Sequence, residues 1–302
     1  MTAVGVVGLG AMGRELAGRL IASGHEVHGT NRTQVKAGAL ISRGLRWHDT
    51  PREVASATEV TISMVTDDAA LDAITSGPDG ILAGLPPDGA YVDMSSVSPR
   101  ASTEVAERVR RINAHMLDAP VAGSVPQAAQ GTLTIMVGGD KATFRRVEPL
   151  LRQLGQSVTW IGGNGSGVLL KLAINISLAV QTLAFSEGLL LAQHGGVDPR
   201  LAAEVMSTSA IGSPMIKARI PQLLDLPDTA WFPMRLMHKD IRLALDEARR
   251  LSVALPSART AADVLVEASG LGYADRDIAG LYEVLNKISG DMRRRAIDRA
   301  AS

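Results

Sequence analysis

The sequence predicts an α/β protein with two domains: a doubly wound, mostly parallel sheet over residues 1–163 and an all-α domain over residues 164–302. In the first half, short apolar segments alternate with helical patterns, which is typical of a parallel sheet with helices on both faces. After residue 163 the patterns are helical throughout, and they begin with a long interdomain helix that follows a glycine-rich hinge at 162–167.

The individual elements are read from runs of apolar residues and from their periodicity. Predicted strands cover residues 3–8, 26–30, 59–64, 90–93, 115–118, 133–137 and 157–160. Predicted helices cover residues 11–22, 33–41, 99–112, 141–151, 168–194, 199–208, 235–250, 256–269 and 278–289. The last two strands predict an edge extension that is not wholly parallel. The arginine-rich residues 292–302 are expected to form a solvated end.

A glycine signature of the form G-x-G-x-x-G follows the first predicted strand and leads straight into a helix. Its residues are Gly8, Leu9, Gly10, Ala11, Met12 and Gly13. In this position the first glycine permits a sharp turn, the second leaves room for a pyrophosphate, and the third lets the helix approach the strand. The free N–H groups at the helix start would face the phosphates. We therefore predict a Rossmann domain that binds a dinucleotide, although glycines also serve ordinary turns.

The end of the second strand predicts which dinucleotide is bound. An NAD-selective site usually has an acidic residue here, which would repel a 2′-phosphate. This chain has Asn31, Arg32 and Thr33 instead, with Lys36 one helical turn further on. A guanidinium suits phosphate and stacks on adenine, so NADPH is favoured over NADH. Alternatively, these residues only end the strand and begin the next helix, with Thr33 as its cap. This interpretation is compatible with a role in binding the 2′-phosphate.

Composition excludes several classes of function. Lys+Arg and Asp+Glu number 31 each, so the net charge is zero and a broad basic surface for nucleic acid is not expected. The chain has no cysteine, which excludes disulfides, thiolate metal sites and thiol catalysis. The N-terminus lacks a basic segment before an apolar run, so no signal peptide is expected and a cytoplasmic location is predicted.

The stretch from residue 168 to 193 is apolar enough to suggest a membrane span. Polar side chains interrupt it at intervals on more than one face: Lys171, Asn175, Gln181, Glu187 and Gln193. A spanning helix needs about 20 largely uninterrupted apolar residues. We predict instead a helix that is buried nearly all round in a soluble protein and covered in part by a second subunit.

Two polar loops follow predicted strands and so lie at the carboxyl edge of the sheet, where ligands of open α/β folds bind. Ser96 belongs to a serine-rich loop before Pro99 and could contact nicotinamide or substrate; the alternative is a helix cap. Gly123 and Ser124 could present N–H groups and a hydroxyl to a carboxylate; the alternative is a plain Pro/Gly connection.

Two charged clusters belong to the helical half. Lys171 and Asn175 are four residues apart and share a helix face. An ammonium among apolar neighbours has a lowered pKa and suits general acid chemistry, unless its stem simply runs along the helix to solvent. Lys239 and Asp240 begin an amphipathic helix in this interpretation, where charged residues are usually solvated.

Together these motifs resemble the β-hydroxyacid dehydrogenase family over nearly the whole chain. The loop from Asp118 to Ser124 is similar to the family's substrate loop D-x-P-V-S-G-G, with Ala122 in place of Ser and Ser124 in place of the second Gly. Residues 165–175 match the family's catalytic motif G-x-G-x-x-x-K-x-x-x-N, and Lys239 with Asp240 matches its K-D pair. The departure at Ala122 leaves open a bulkier or less acidic substrate.

The resemblance implies an NADPH-dependent reductase of a small aldehyde or keto acid, most like the glyoxylate and succinic semialdehyde reductases. Hydride moves to the carbonyl carbon while Lys171 gives a proton to the oxygen. Asn175 binds substrate, and Ser96 and Lys239 contact the cofactor. We also assign Met64 and Val65 to the cofactor and Phe232 to the substrate. The family implies homodimers or homotetramers and no metal.

The sequence leaves two alternatives open. Imine reductases resemble this chain in fold and in the Asn-Arg-Thr segment but typically place Asp or Tyr where Lys171 stands. A non-catalytic protein that senses NADPH would use the same glycine signature without chemistry.

Overall fold

The computed structural model describes residues 2–300, and the side chains of residues 2–290. The side chains of residues 292–302 lie outside the described part, so the solvated end predicted there stays a prediction. The chain separates into two compact units, Met1–Ala173 and Ile174–Ser302. The predicted domain boundary lies earlier, at residues 163 and 164, before the helix that carries the chain from the first unit into the second.

The first unit contains one nine-stranded sheet. Its strands are β1 (Ala3–Val7), β2 (Glu26–Thr30), β3 (Arg46–Trp47), β4 (Val60–Ser63), β5 (Ala90–Asp93), β6 (His115–Asp118), β7 (Val121–Ala122), β8 (Leu133–Gly139) and β9 (Gly155–Gly162). The order β3-β2-β1-β4-β5-β6 is parallel throughout. This is the strand order of a dinucleotide-binding Rossmann sheet, with its switch point between β1 and β4.

The edge extension beyond β6 is mixed, as the sequence predicts. β8 pairs antiparallel with β6 and β7, and β9 pairs parallel with β8. β7 has only two residues, too short for a periodicity signal, and was not predicted.

Fourteen helices are present among the described residues. They are α1 (Ala11–Ala22), α2 (Gly38–Ile41), α3 (Pro51–Ser56), α4 (Asp68–Thr75), α5 (Ile81–Gly84), α6 (Pro99–Arg111), α7 (Val125–Gln130), α8 (Lys141–Leu151), α9 (Ser166–His194), α10 (Pro199–Thr208), α11 (Pro214–Leu224), α12 (Met234–Leu251), α13 (Pro256–Gly270) and α14 (Leu281–Ala300). Two short 3₁₀ helices are Gln34–Ala37 and Ile278–Gly280. The second unit is all-α in its described part, so the predicted fold class is confirmed.

The helices that the sequence did not predict are α3, α4, α5, α7 and α11. Four of them have eight residues or fewer, which is too short for a clear helical period. In α11, Pro221 removes an intrahelical hydrogen bond and interrupts the pattern. The single helix predicted over 33–41 is instead a 3₁₀ turn followed by α2.

Each unit has its own apolar core. In the first unit one face of the sheet packs against α1 and α8, through Leu16, Leu20 and Val147 among others. The other face, which includes Tyr91, packs against Val105 and Val109 of α6. The core of the second unit joins α9, α12, α13 and α14.

Helix α9 is long and apolar enough to cross a membrane by length and composition. The core helix of a soluble protein passes the same test, and Lys171 and Asn175 interrupt this one. Its leucines Leu169, Leu170 and Leu191 are exposed in the single chain. This exposure agrees with the predicted cover by a second subunit, which stays a prediction, as does the expected absence of membrane binding.

Candidate active site

The glycine loop between β1 and α1 has the shape that each of its glycines was predicted to provide. Gly8 has a φ of 94°, and a Cβ there would lie 2.4 Å from the carbonyl oxygen of Met64. A Cβ on Gly13 would lie 1.9 Å from the Gly8 oxygen, so helix and loop approach too closely for any side chain. A Cβ on Gly10, by contrast, would meet nothing within 4 Å, so space is open on the side predicted for a pyrophosphate.

The N-terminus of α1 suits an anion. Gly10 is its N-cap residue and supplies no side-chain acceptor for the first N–H groups of the helix. Gly10 and Ala11 are exposed, and Met12 is half-buried. Uncapped N–H groups and the positive end of the helix dipole attract phosphate. These residues therefore fit the phosphates of a dinucleotide.

Asn31 braces the glycine loop against the end of β2. Its Oδ1 accepts a hydrogen bond from the Leu9 N–H at 3.2 Å, and its Nδ2 donates to the Thr33 carbonyl at 3.2 Å. An aspartate could make the first bond but not the second, so the amide suits this site independently of cofactor charge. The side chain of Asn31 is thus occupied within the protein.

The cationic side chains beyond Asn31 are exposed. Arg32 precedes the 3₁₀ turn and Lys36 lies within it, and Arg32 forms no ion pair with any described residue. Thr33 occupies the N-cap position of that turn without a capping hydrogen bond from its side chain. The alternative interpretation of Thr33 as a cap therefore gives its position correctly, but its side chain makes no capping hydrogen bond.

A buried carboxylate network joins the ends of β4 and β5. Asp93 Oδ1 accepts from the hydroxyls of Ser63 and Ser95, each at 2.6 Å. Ser95 Oγ in turn accepts the Val65 N–H at 2.9 Å. The network therefore fixes the segment that carries Met64 and Val65, two of the predicted cofactor residues. Ser96 follows it in the loop before α6 and is half-buried, while Ser98 caps α6 through the Ala101 N–H.

Replacement of Asp93 by Asn is expected to change the pH dependence of stability. Burial raises the pKa of the Asp93 carboxyl to about 6, although its hydrogen bonds with Ser63 and Ser95 oppose that rise. Between the ordinary value of 3.8 and about 6, the folded state keeps a proton that the unfolded chain releases. The natural protein then loses stability as pH rises through this window, by about 3 kcal/mol in total.

The measurement is urea unfolding of both proteins from about pH 4 to pH 7.5. The difference between their free energies of unfolding is the quantity to follow, because exposed carboxyls titrate in both. The free energy of unfolding of Asp93→Asn, relative to that of the natural protein, should increase up to about pH 6. Above that pH the difference should stay constant. A pH-independent difference would rule out a raised pKa for Asp93.

The predicted substrate loop lies after β6, at the carboxyl edge. Gly123 is exposed with a φ of 125°, and Ser124 is half-buried at the start of α7. The Ser124 N–H and hydroxyl both donate to Gln127 Oε1, at 3.0 and 2.8 Å. The donors that the sequence assigned to a substrate carboxylate are therefore satisfied by an amide oxygen of the chain itself.

Lys171 lies in the second turn of α9 and is only 9% exposed. The start of α9 is fastened to the end of β6 by the buried carboxylate of Asp118, which accepts the N–H groups of Gly165 and Val168. The helix therefore begins at the carboxyl edge of the sheet, with Lys171 three residues beyond Val168. Asp118 itself is occupied and is not free to contact substrate.

Asn175 follows Lys171 by one turn on α9 and is 1% exposed. Its Nδ2 donates to Asp240 Oδ2 at 2.5 Å. Because a carboxylate only accepts, this contact fixes the amide orientation and leaves Asn175 Oδ1 as a buried acceptor without a partner. Asn175 thus offers an oxygen to a ligand.

The Lys239–Asp240 pair does not begin a helix. α12 begins at Met234, so both residues lie in its second turn, and Asp240 is buried at 1% exposure. The expectation of two solvated charges is therefore wrong for Asp240. Lys239 Nζ lies 2.8 Å from Asp240 Oδ1, as an ionic contact without the angle of a hydrogen bond.

Phe232 is half-buried just before α12, in the second unit. Its backbone N–H donates to Asp277 Oδ2 at 2.8 Å, and its carbonyl accepts from Ile278. Asp277 is fully buried and also pairs with the guanidinium of Arg219. The position of Phe232 is therefore held by a buried ion pair.

Comparison with known proteins agrees with this fold. A family model described as the NAD binding domain of 6-phosphogluconate dehydrogenase matches residues 3–162. A second, described as NAD-binding of NADP-dependent 3-hydroxyisobutyrate dehydrogenase, matches residues 165–285. The chain belongs to the β-hydroxyacid dehydrogenase family. This confirms the resemblance and makes the chain an NAD(P)-dependent oxidoreductase.

Named members of the β-hydroxyacid dehydrogenase family align along nearly the whole chain. The 2-hydroxy-3-oxopropionate reductase of Escherichia coli is 34% identical over 93% of this chain and 96% of its own. The chloroplastic glyoxylate/succinic semialdehyde reductase 2 of Arabidopsis thaliana is 32% identical over 93% of this chain and 79% of its own.

Solved structures show the same fold. A 3-hydroxyisobutyrate dehydrogenase from Salmonella typhimurium has a TM-score of 0.86 at 28% identity, covering 94% of this chain and all of its own. An imine reductase from Pseudomonas sp. has a TM-score of 0.62 at 23% identity, covering 94% of this chain and 99% of its own. The second likeness extends to the fold alone.

Several residues that shape the candidate site carry no pattern that sequence reasoning used. They are Asp93, Ser95, Gln127 and Asp277. Gln127 was readable in principle, since Ser followed three residues later by Gln is the capping-box signature. Asp93 and Ser95 are two residues apart, but the contacts of Asp93 with Ser63 and of Asp277 with Phe232 join segments far apart in sequence, and no local signal predicts them.

Proposed function

We propose that this family member is an NADPH-dependent reductase of small aldehyde or keto acids, with Lys171 as general acid, and that it oxidises hydroxy acids in reverse. When bound, the dinucleotide supplies the hydride. Lys171 Nζ gives the proton to the substrate oxygen in reduction and takes it back in oxidation. The observation that carries this proposal is a buried ammonium in the second turn of a helix that begins at the carboxyl edge of the sheet.

The substrate would form hydrogen bonds with one acceptor and with one pair of donors of the protein. Asn175 Oδ1, buried and unpartnered, would accept a hydrogen bond from a substrate hydroxyl. The Ser124 N–H and hydroxyl would donate to a substrate carboxylate, which must then replace Gln127 Oε1. Gly123 and Ser96 are proposed to contact the substrate from the first unit, and Phe232 is proposed as a substrate residue of the second, as the sequence predicted.

The proposed preference for NADPH rests on charge. Arg32 is exposed beyond the loop that Asn31 braces, and Lys36 stands one turn away, so two cations face the solvent where a 2′-phosphate is expected. Lys239 is proposed to contact the nicotinamide end of the cofactor, and Met64 and Val65 are proposed as further cofactor residues.

Arg32→Ala is expected to weaken the use of NADPH and leave NADH nearly unaffected. A hydrogen bond to a charged group contributes about 1.5–3 kcal/mol, so the KM for NADPH should rise about 10- to 150-fold. Steady-state kinetics with each coenzyme checks this. Arg46→Ala on β3 is the control, since Arg46 is an exposed arginine of the same sheet edge and pairs with Glu26. An equal loss with both coenzymes would contradict the assignment.

The experiment that tests the whole proposal is a substrate panel. NADPH oxidation is followed with glyoxylate, succinic semialdehyde, 2-hydroxy-3-oxopropionate and a cyclic imine, and NADP⁺ reduction with 3-hydroxyisobutyrate. Turnover of an aldehyde acid above that of the imine supports the proposal. Turnover of the imine alone would establish the imine reductase alternative. Binding of NADPH without any turnover would favour the sensor.

Subunit number is proposed from the apolar surface of α9. Leu191 is 78% exposed in the single chain, and a homodimer or homotetramer would cover it. Light scattering of the purified protein distinguishes these states from a monomer.

A further inference from the structure

We infer that Asp118 is a positioning residue, whose buried carboxylate holds the first turn of α9 and thereby sets where Lys171 lies. The inference rests on the proposed role of Lys171. All of the groups concerned belong to the first unit of the chain.

Both carboxylate oxygens of Asp118 are used by the start of α9. Oδ1 accepts the Gly165 N–H at 2.8 Å, and Oδ2 accepts the Val168 N–H at 3.1 Å. The first N–H groups of a helix have no partners within the helix. A side chain from a different segment, at the end of β6, satisfies two of them here. The cap therefore fastens the helix to the sheet as well as closing its end.

The surroundings of Asp118 are shaped to its carboxylate. A Cβ on Gly138 would lie 2.6 Å from both oxygens, and a Cβ on Gly167 would lie 2.8 Å from Oδ2. Side chains at either position would displace the carboxylate or the helix. Asp118 is fully buried, so its carboxylate is held in place by the packing around it.

The charge of Asp118 is placed where the helix favours it. Burial raises the pKa of its carboxyl, and the N–H groups of Gly165 and Val168 oppose that rise. The positive end of the α9 dipole lies at the same point and favours a negative charge. Asp118 on β6 lies opposite Asp93 on β5 in the sheet register. Because Asp93 Oδ2 has no hydrogen-bond partner, Asp118 is the better stabilised of the two carboxylates.

Lys171 follows Val168 by three residues, less than one helical turn. A rigid first turn therefore transmits the position of the Asp118 carboxylate to the lysine stem. Displacement of a reacting group by about 1 Å can cost 10²-fold in rate, so a loosened cap should lower turnover without touching the coenzyme loop.

Asp118→Asn tests this positioning. The amide keeps the volume and one acceptor, but its NH₂ group faces an N–H donor. We expect kcat with glyoxylate or succinic semialdehyde to fall about 10- to 100-fold, while the Kd for NADPH stays within about threefold. Hydrogen exchange of residues 164–170 should become faster in the variant. Asp140→Asn is the matched control, because Asp140 caps α8 through the Thr143 N–H and α8 carries no candidate site residue.

The outcomes separate this inference from the proposed function. Unchanged kcat in Asp118→Asn despite faster exchange, or unchanged exchange, would overturn the positioning role. So would an equal loss of kcat in Asp140→Asn. If Lys171→Ala keeps its turnover, the proposed function fails by itself; if it loses turnover while Asp118→Asn does not, only the inference about Asp118 fails.

A second variant covers the case in which Asp118→Asn does not fold. Gly165→Ala keeps the carboxylate but disturbs one of its donors, because Gly165 has a φ of 91° and a Cβ would lie 3.0 Å from Thr103 Cγ2. It should lower kcat with little change in NADPH binding. Gly44→Ala is its control, with a φ of 104° and open space around the Cβ. Equal kcat in the two variants would overturn the inference.

Discussion

Replacement of Lys171 by Ala or Met is expected to lower kcat about 10²- to 10⁴-fold, the range that general acid–base catalysis contributes. Lys171 is 9% exposed, so a proton donor from the solvent does not easily take the place of its ammonium. NADPH binding should survive, because the glycine loop and Arg32 are built from other elements of the chain. Single-turnover kinetics with succinic semialdehyde measures the chemical step directly.

The Met variant also separates catalysis from folding. Lys171→Met keeps a side chain of similar length without the ammonium, so its melting temperature shows whether the fold survives the substitution. Lys217→Met on the exposed side of α11 is the matched control and should keep full turnover. Turnover of Lys171→Met within threefold of the natural protein would exclude the acid role.

The fold could be predicted because its signals are local. The G-x-G-x-x-G loop, the strand–helix alternation and the 29-residue apolar helix α9 each depend on residues close in sequence. The mostly parallel pairing of the predicted strands then follows from the helical connections between them and the handedness of βαβ units. The short helices and the two-residue strands fell below the length at which periodicity can be recognised.

The candidate site could be predicted only in part, because residue types do not show which hydrogen bonds are already taken. The sequence offered the Ser124 donors to a substrate, but Gln127 holds both. It assigned the Asn175 amide to the substrate without showing which of its atoms is available; Asp240 takes an N–H and leaves the oxygen. Partners 65 residues apart, as Asn175 and Asp240 are, can be identified only once the chain is folded.

Asp240→Ala is expected to cause the second largest loss. Asp240 is 1% exposed, orients the Asn175 amide at 2.5 Å and balances Lys239 at 2.8 Å. Removal of one partner of a buried ion pair typically costs about 3–5 kcal/mol. The loss of unfolding free energy should lie near the lower end of that range, because the Lys239 side chain is 22% exposed and water partly replaces its partner.

Turnover of Asp240→Ala should fall more than tenfold, because the Asn175 oxygen is no longer held in one orientation, and a charge-assisted hydrogen bond contributes about 1.5–3 kcal/mol. Asp240→Asn separates the orientation of Asn175 from the charge balance with Lys239. Its oxygen can still accept from Asn175, but its lost charge no longer balances Lys239. If Lys239 contacts the coenzyme, Asp240→Asn should alter the KM for NADPH more than kcat, whereas Asp240→Ala should alter both.

Asp246→Ala provides the control on the same helix, since Asp246 is exposed and pairs with Arg249 on the surface of α12. It should change the unfolding free energy by no more than about 1 kcal/mol and leave the kinetics unaltered. If Asp240→Ala melts and turns over like Asp246→Ala, then Asn175 needs no orientation from Asp240. The amide would then be set by its own helix, and the unpartnered Oδ1 would lose its significance as the atom offered to a substrate.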